Sequence, residues 1–286
     1  MKRRAVVIAV LGIVAGSASM DVAQSNSATQ NQAGQTKSGQ TASQAAPPAG
    51  KRPPQAKTQP EFDAYKAIIG MTDPAAQEKA ANDFAAKYPD SELRPLVFKA
   101  TMRGYQQANN GEKMMEMAQK VLSFDPDDPE ALLSVAQVLA ERTHDTDLDR
   151  DQKMAEARKD AQRALVTVDT DVPTSGYPPE QLQAFKNFMR SEAYEILGTL
   201  DFNAKAWPDA EGNLKKSIDA YPQQVDPVAV LRLSLTLDEE NRYPDALKYA
   251  NQAVDLSKEG TATGDAARKE KDRLMQLTGG TNPAPK

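Results

Sequence analysis

Residues 207–210 read Trp-Pro-Asp-Ala, and residues 243–246 read Tyr-Pro-Asp-Ala. The two stretches start 36 residues apart, and the positions around them repeat as well. Upstream of the first copy stands Tyr194-x2-Leu197-Gly198, and the second copy has large and small residues at the same spacing. An interval of roughly 20–50 residues is typical of an array of structural repeats. The sequence therefore predicts that one folding unit has been copied.

The spacing of apolar residues from Glu61 onward predicts helices. These residues recur at intervals of three and four, alanine is abundant, and runs of alternating β-branched residues are missing from the sequence. Prolines fall between the periodic segments, as in Asp125-Pro126 and Tyr221-Pro222, where one helix can end and another begin. We therefore expect an all-α domain of about five antiparallel helix pairs.

This pattern resembles the tetratricopeptide repeat family, in its exported bacterial envelope form. The family has an aromatic residue, a Leu-Gly pair, a tyrosine, an alanine with a bulky residue four positions later, and a closing proline. The matching positions are Tyr194, Leu197, Gly198, Ala210, Leu214 and Pro222. Asp201 stands where the family has the tyrosine, so that packing contact is absent or supplied otherwise. The resemblance implies a right-handed superhelical solenoid with a C-terminal capping helix over residues 266–277.

Small residues mark the expected helix crossings. Gly198 and Ala210 are predicted to lie where the two helices of one pair approach closely, and Leu214 to fill the groove to the next helix. Earlier copies follow the spacing more loosely, beginning at Phe98 and at Leu132, and a degenerate first copy covers residues 62–88.

The N-terminal sequence is typical of a secretory signal peptide. Basic residues at 2–4 precede an apolar run from Ala5 to Ala15, and small residues follow. We expect cleavage after Ala18, which assigns residues 1–18 to the signal peptide and leaves no membrane span afterwards; an uncleaved membrane anchor is the alternative. The prediction is an exported protein of the bacterial periplasm or the extracellular space.

Composition predicts disorder on both sides of the helical domain. Residues 19–60 form an Ala/Gln/Ser/Pro-rich linker, and from residue 23 it has no apolar side chain larger than a prolyl ring or a methyl group. Such a segment buries too little surface to offset the entropy of ordering it. The first aromatic residue is Phe62, so the tetratricopeptide-like domain is expected over residues 61–277 and a disordered tail over residues 278–286.

Charge and composition exclude several classes of function. Residues 61–286 carry 39 acidic and 28 basic side chains, a formal net charge of −11 that repels phosphate backbones and argues against nucleic acid. The chain has no cysteine and one histidine, His144, so we expect no cofactor and no thiolate metal site. The sequence also lacks a glycine-rich phosphate loop and a nucleophile elbow. An envelope enzyme with carboxylate-only chemistry is the alternative from another class.

The predicted function is a non-enzymatic protein-protein interaction scaffold in the cell envelope. Repeat arrays of this type bind another protein or a peptide on a concave face lined by the first helix of each pair. A structural accessory subunit of an envelope assembly or cell-division complex is the alternative. The resemblance places the following candidate partner-binding residues on that face, with charge changing from basic to acidic along it: Lys99, Arg103, Gln107, Gln137, Glu195, Asn203 and Asp238. A merely solvated surface is the competing interpretation.

The stretch from His144 to Asp151 has alternating aspartates. Asp145 and the following acidic residues, with Glu156 eleven positions after Asp145, match the ligand spacing of a calcium loop. Arg150 stands where such a loop needs glycine, which argues against calcium. The alternative is a solvated acidic turn in which Asp151 caps the next helix.

Overall fold

A computed structural model of the chain describes residues 51–173 and 178–279. These residues contain eleven α-helices, one short 3-10 helix and no β-strand. The expected signal peptide at 1–18, the linker up to residue 50 and the tail from residue 280 lie outside the described residues. The helices are α1 (Gln59–Ile69), α2 (Pro74–Lys87), α3 (Arg94–Gln107), α4 (Gly111–Phe124), α5 (Pro129–Arg142), α6 (Arg150–Thr170), α7 (Pro179–Asn203), α8 (Trp207–Ala220), α9 (Pro227–Glu239), α10 (Tyr243–Leu256) and α11 (Ala262–Leu277).

Asp-Pro pairs set where three of the helices begin. Asp73, Asp128 and Asp226 each occupy the N-cap position, and each carboxylate accepts a hydrogen bond from a backbone N–H of the first turn. The proline that follows each of them has no N–H to satisfy and has its φ already near the helical value. The sequence motif thus fixes these helix starts through local interactions.

The turn inside three of the pairs has one backbone conformation. Asn109, Lys205 and Asn241 adopt left-handed φ angles of 56°, 57° and 60° between the two helices of their pairs. The N–H of the next residue donates in each case to a carbonyl five residues earlier, at 2.9 Å. The helix pairs that repeat in the sequence therefore also share the backbone conformation of this turn.

The helices stack as antiparallel pairs in chain order, from α1–α2 to α9–α10, and α11 packs on α9 and α10 as the closing helix. The predicted all-α solenoid of five pairs and a capping helix is confirmed. The first helices also touch one another directly, α1 on α3, α5 on α7, α7 on α9 and α9 on α11. Within the described residues, second helices of successive pairs make no comparable contacts, which places the first helices on the concave side. We call the surface of α3, α5, α7 and α9 the first-helix face.

The predicted close crossing lies between α7 and α8. A Cβ atom added to Gly198 would lie 2.7 Å from Cγ of Leu214, and Ala210 is fully buried beside it. In the copied pair, Ser234 takes the place of Gly198 and donates a hydrogen bond of 2.8 Å to the carbonyl of Ala246. The small residues are therefore required by the distance between the two helices.

One part of the predicted linker is ordered. The linker was expected to reach residue 60, but α1 begins at Gln59 and residues 51–58 lie against the helices. Glu61 holds this junction, because its carboxylate accepts the N–H groups of Lys57 and Thr58. Polar anchoring of this kind needs no large apolar side chain, which is why the compositional argument did not detect it.

Candidate partner-binding face

All seven predicted partner-binding residues lie on first helices of the array. Gln107 on α3 and Asn203 on α7 are exposed to solvent. Gln137 on α5 is half-buried, and its Nε2 donates a hydrogen bond of 3.3 Å to Glu141. The other four are charged, and each of them lies beside an oppositely charged side chain.

At the basic end, ion pairs join α3 to the start of α5. Lys99 donates to the carboxylate of Asp128 and lies 3.8 Å from Glu130. Arg103 donates to both carboxylate oxygens of Glu130, at 2.5 and 2.6 Å. The side chain of Asp128 is only 6% exposed, and it also caps α5. These two cations therefore hold neighbouring repeats together.

At the acidic end, the same arrangement appears with the signs reversed. Glu195 on α7 lies 3.6 Å from a guanidinium nitrogen of Arg232 on α9. Asp238 on α9 is paired with Arg273 on α11. The charge gradient expected from the sequence is thus neutralised locally, because the opposite charges are supplied by the next first helix. Whether the seven residues bind a partner stays a prediction.

Asp201, which stands where the family has a tyrosine, makes hydrogen bonds instead of that packing contact. The residue is only 3% exposed, and its carboxylate accepts hydrogen bonds of 2.7 Å from Arg158 on α6 and of 2.7 Å from Asn213 on α8. The position that packs a tyrosine in the family pattern is here a polar junction of three helices. The sequence analysis did not identify Arg158, because it lies 43 residues away from its partner Asp201.

Comparison with known proteins supports this architecture. No protein-family model matches the chain, and no curated protein matches it by sequence. Among solved structures, PilF of Pseudomonas aeruginosa is similar, with a TM-score of 0.51 and 16% identity over 78% of this chain and 96% of that one. The fold is a tetratricopeptide-like helical array.

Two further solved structures are similar to the array at lower scores. PilW, a widely conserved type IV pilus biogenesis factor, has a TM-score of 0.47 and 18% identity over 78% of this chain and 96% of its own. MamA has a TM-score of 0.37 and 17% identity over 62% of this chain and 94% of its own.

The acidic insertion of the array is a turn closed by cations. Arg150 binds the carboxylates of Asp145 and Asp151, each at 3.1 Å. Lys153 lies within 3.4 Å of both Asp147 and Asp149. In the described part of the chain, no cluster of three or more acidic or histidine side chains could hold a metal ion.

The cap expected at this insertion is wrong. The helix begins at Arg150, so Asp149 takes the N-cap position, where its side chain accepts no capping hydrogen bond from the backbone, and Asp151 already lies inside the helix. Asp151 pairs there with Arg150 instead.

A groove of about 490 Å³ lies between the α4–α5 turn and the outer side of α6. Val166, which is 60% exposed, and the partly buried Asp160 line it. Burial and the charge of Glu156, one turn earlier, raise the pKa of Asp160 from its ordinary 3.8 to about 6, while Lys159 offsets a part. The carboxyl group of Asp160 therefore stays protonated to a higher pH in the folded array than in the unfolded chain.

Asp160→Asn is expected to raise the free energy of unfolding by about 1 kcal/mol near pH 7.5, less than the full pKa shift implies because solvent screens this partly exposed carboxyl, and to change it little near pH 4. The folded state binds the proton up to about pH 6. The contribution of Asp160 to stability therefore falls as the pH rises from about 4 to about 6, and stays low above that range. Urea unfolding at both pH values measures the effect. An equal gain in the free energy of unfolding at the two pH values would contradict this expectation. The control is Asp255→Asn, which changes an exposed acid on α10.

Proposed function

We propose that this chain is a non-enzymatic scaffold of the cell envelope that binds a peptide or protein segment along the first-helix face. One observation carries the proposal: α5, α7 and α9 contact one another in turn, and the ion pairs of Lys99 and Arg103 join α3 to the start of α5, so the first helices form one continuous row. A surface of this length suits an extended or helical segment rather than a small molecule.

The chemistry of the face favours polar recognition. The four charged candidate residues are paired with side chains of neighbouring helices, whereas Gln107 and Asn203 are exposed. An amide side chain both donates and accepts hydrogen bonds, as the backbone of an extended segment does. The bound segment is therefore recognised through hydrogen bonds and shape more than through net charge.

The envelope location rests on the signal-like residues 1–18. In the described ranges no helix is long and apolar enough to span a bilayer. We expect mass spectrometry of envelope fractions to find a mature protein that begins near Ser19. A protein recovered with an intact Met1 would contradict cleavage.

Site-specific photo-crosslinking tests the face without disturbing the ion pairs. A photoreactive amino acid is placed at Gln107 and at Asn203 in the full chain, and at the exposed Gln119 on α4 and Asp255 on α10 as controls. Illumination of cells is expected to give the same adduct from both first-helix positions and none from the second-helix positions. Adducts that form only at Gln119 or Asp255 would place the binding surface on the opposite side.

A further inference from the structure

Residues 51–58, which we call the N-terminal strap, cross one edge of the array. Antiparallel pairing puts the start of α3 and the ends of α4 and α6 at this edge. Lys51 reaches the ends of α4 and α6, where its Nζ lies 2.5 Å from Asp125 and 3.1 Å from Asp171. The strap is therefore fixed to helices of two different pairs, far from it in sequence.

A second anchor lies at the start of α3. The guanidinium of Arg52 donates to both carboxylate oxygens of Glu92, at 2.9 and 2.5 Å, and the N–H of Gln55 donates to the same carboxylate at 3.0 Å. We call Glu92, Asp125 and Asp171 the acidic edge. It lies at the helix ends.

The acidic edge needs a cation. Asp125 and Asp171 are 18% and 16% exposed, and both lie at helix C-termini, where the helix dipole is negative. Burial raises the pKa of Asp171, the bond from Lys51 lowers it, and the nearby carboxylates of Asp125 and Asp128 raise it further. Without the ammonium of Lys51, two partly buried like charges would face each other unpaired.

The strap is held mainly by polar contacts, and one of these is exposed to solvent. Arg52 is 65% exposed in its pair with Glu92, and exposed ion pairs of this kind contribute little to stability. Ala56 is the strap residue that packs against the apolar core. A segment with so little buried apolar surface belongs to the parts of a protein that open most easily.

We propose that the acidic edge is a docking surface for an extended basic segment of a partner protein, and that the strap is its intramolecular occupant, which this segment displaces. The strap reads Lys51-Arg52-Pro53-Pro54, two cations followed by two prolines. Prolines favour an extended chain and leave no N–H groups to be paired. The partner segment has the same chemistry, adjacent cations on an extended backbone, and the acidic body of the chain attracts it.

Displacement can be measured with the strap sequence as a probe. A fluorescent peptide of residues 51–58 is titrated at low salt into the full chain and into the full-length variant Lys51→Ala/Arg52→Ala. A tethered strap competes at high effective concentration, so the variant is expected to bind the peptide about tenfold more tightly than the wild type. Adding Asp125→Asn/Asp171→Asn to that variant should abolish the tighter binding of the peptide. The control is Asp219→Asn, an exposed acid at the end of α8, which should leave the tighter binding unchanged.

Two results would overturn the proposal. One is equal affinity of the peptide for wild type and Lys51→Ala/Arg52→Ala; the other is tight binding that persists after Asp125→Asn/Asp171→Asn. Hydrogen exchange of the wild type gives a second readout that needs no acidic variant. Saturating peptide should speed exchange at the amide of Gln55, which is bonded to Glu92 in the docked strap. An unchanged exchange rate there would rule out displacement.

Discussion

Gly198→Leu is expected to lower the free energy of unfolding by about 3 kcal/mol, because overpacking at a close helix crossing has no room to relax. A Cβ at this position meets Leu214 Cγ at 2.7 Å and the backbone nitrogen of the same residue at 3.2 Å. A side chain could move aside, but a backbone nitrogen inside α8 moves only with its helix. Urea unfolding followed by circular dichroism measures the loss. Ala210→Leu, at the same crossing, is expected to cost about 1–3 kcal/mol.

Gly212→Ala provides the matched control in the same helix pair. Apart from the local backbone of α8 and the two adjoining residues, no atom lies within 4 Å of a Cβ at Gly212, which is in the middle of α8. Alanine should therefore add about 0.5–1 kcal/mol through helix propensity alone. If Gly198→Leu left stability unchanged while Gly212→Ala raised it, the crossing would not be as close as the structure has it.

The helix pairs and their crossing could be predicted because their signals are local and repeated. Gly198 and Ala210 are small at positions whose copies, Ser234 and Ala246, are small as well. The spacing between such positions depends on helix geometry alone, so it can be read without knowledge of the neighbouring pair.

The sequence could assign the charged residues of the candidate face to first helices, but it could not identify the residues with which they form ion pairs. The resemblance put Lys99 on a first helix, yet its partner Asp128 is 29 residues away, and Glu195 and Arg232 lie in different pairs. Such pairs depend on the register between repeats, which periodicity does not give. The sequence did not predict the docked strap for a related reason, because the carboxylates that bind Lys51 lie at the ends of α4 and α6.

Asp128→Ala is expected to lower the free energy of unfolding by about 3 kcal/mol, because one side chain performs two tasks. It caps α5 through the N–H of Ala131 at 2.9 Å, a contribution of about 1 kcal/mol. It also pairs with Lys99, whose side chain is only 17% exposed. Removing the carboxylate leaves that ammonium with Glu130, at 3.8 Å, as its nearest remaining partner.

Asp226→Ala separates the two tasks, because Asp226 caps α9 through the N–H of Val228 at 2.7 Å in the same Asp-Pro context. We expect it to cost only about 1 kcal/mol, the contribution of a cap. Lys99→Met in the Asp128→Ala background should then recover about 1 kcal/mol or more, since it removes a poorly paired, partly buried charge. Equal losses for Asp128→Ala and Asp226→Ala in urea unfolding would mean that the pair with Lys99 contributes nothing to the fold.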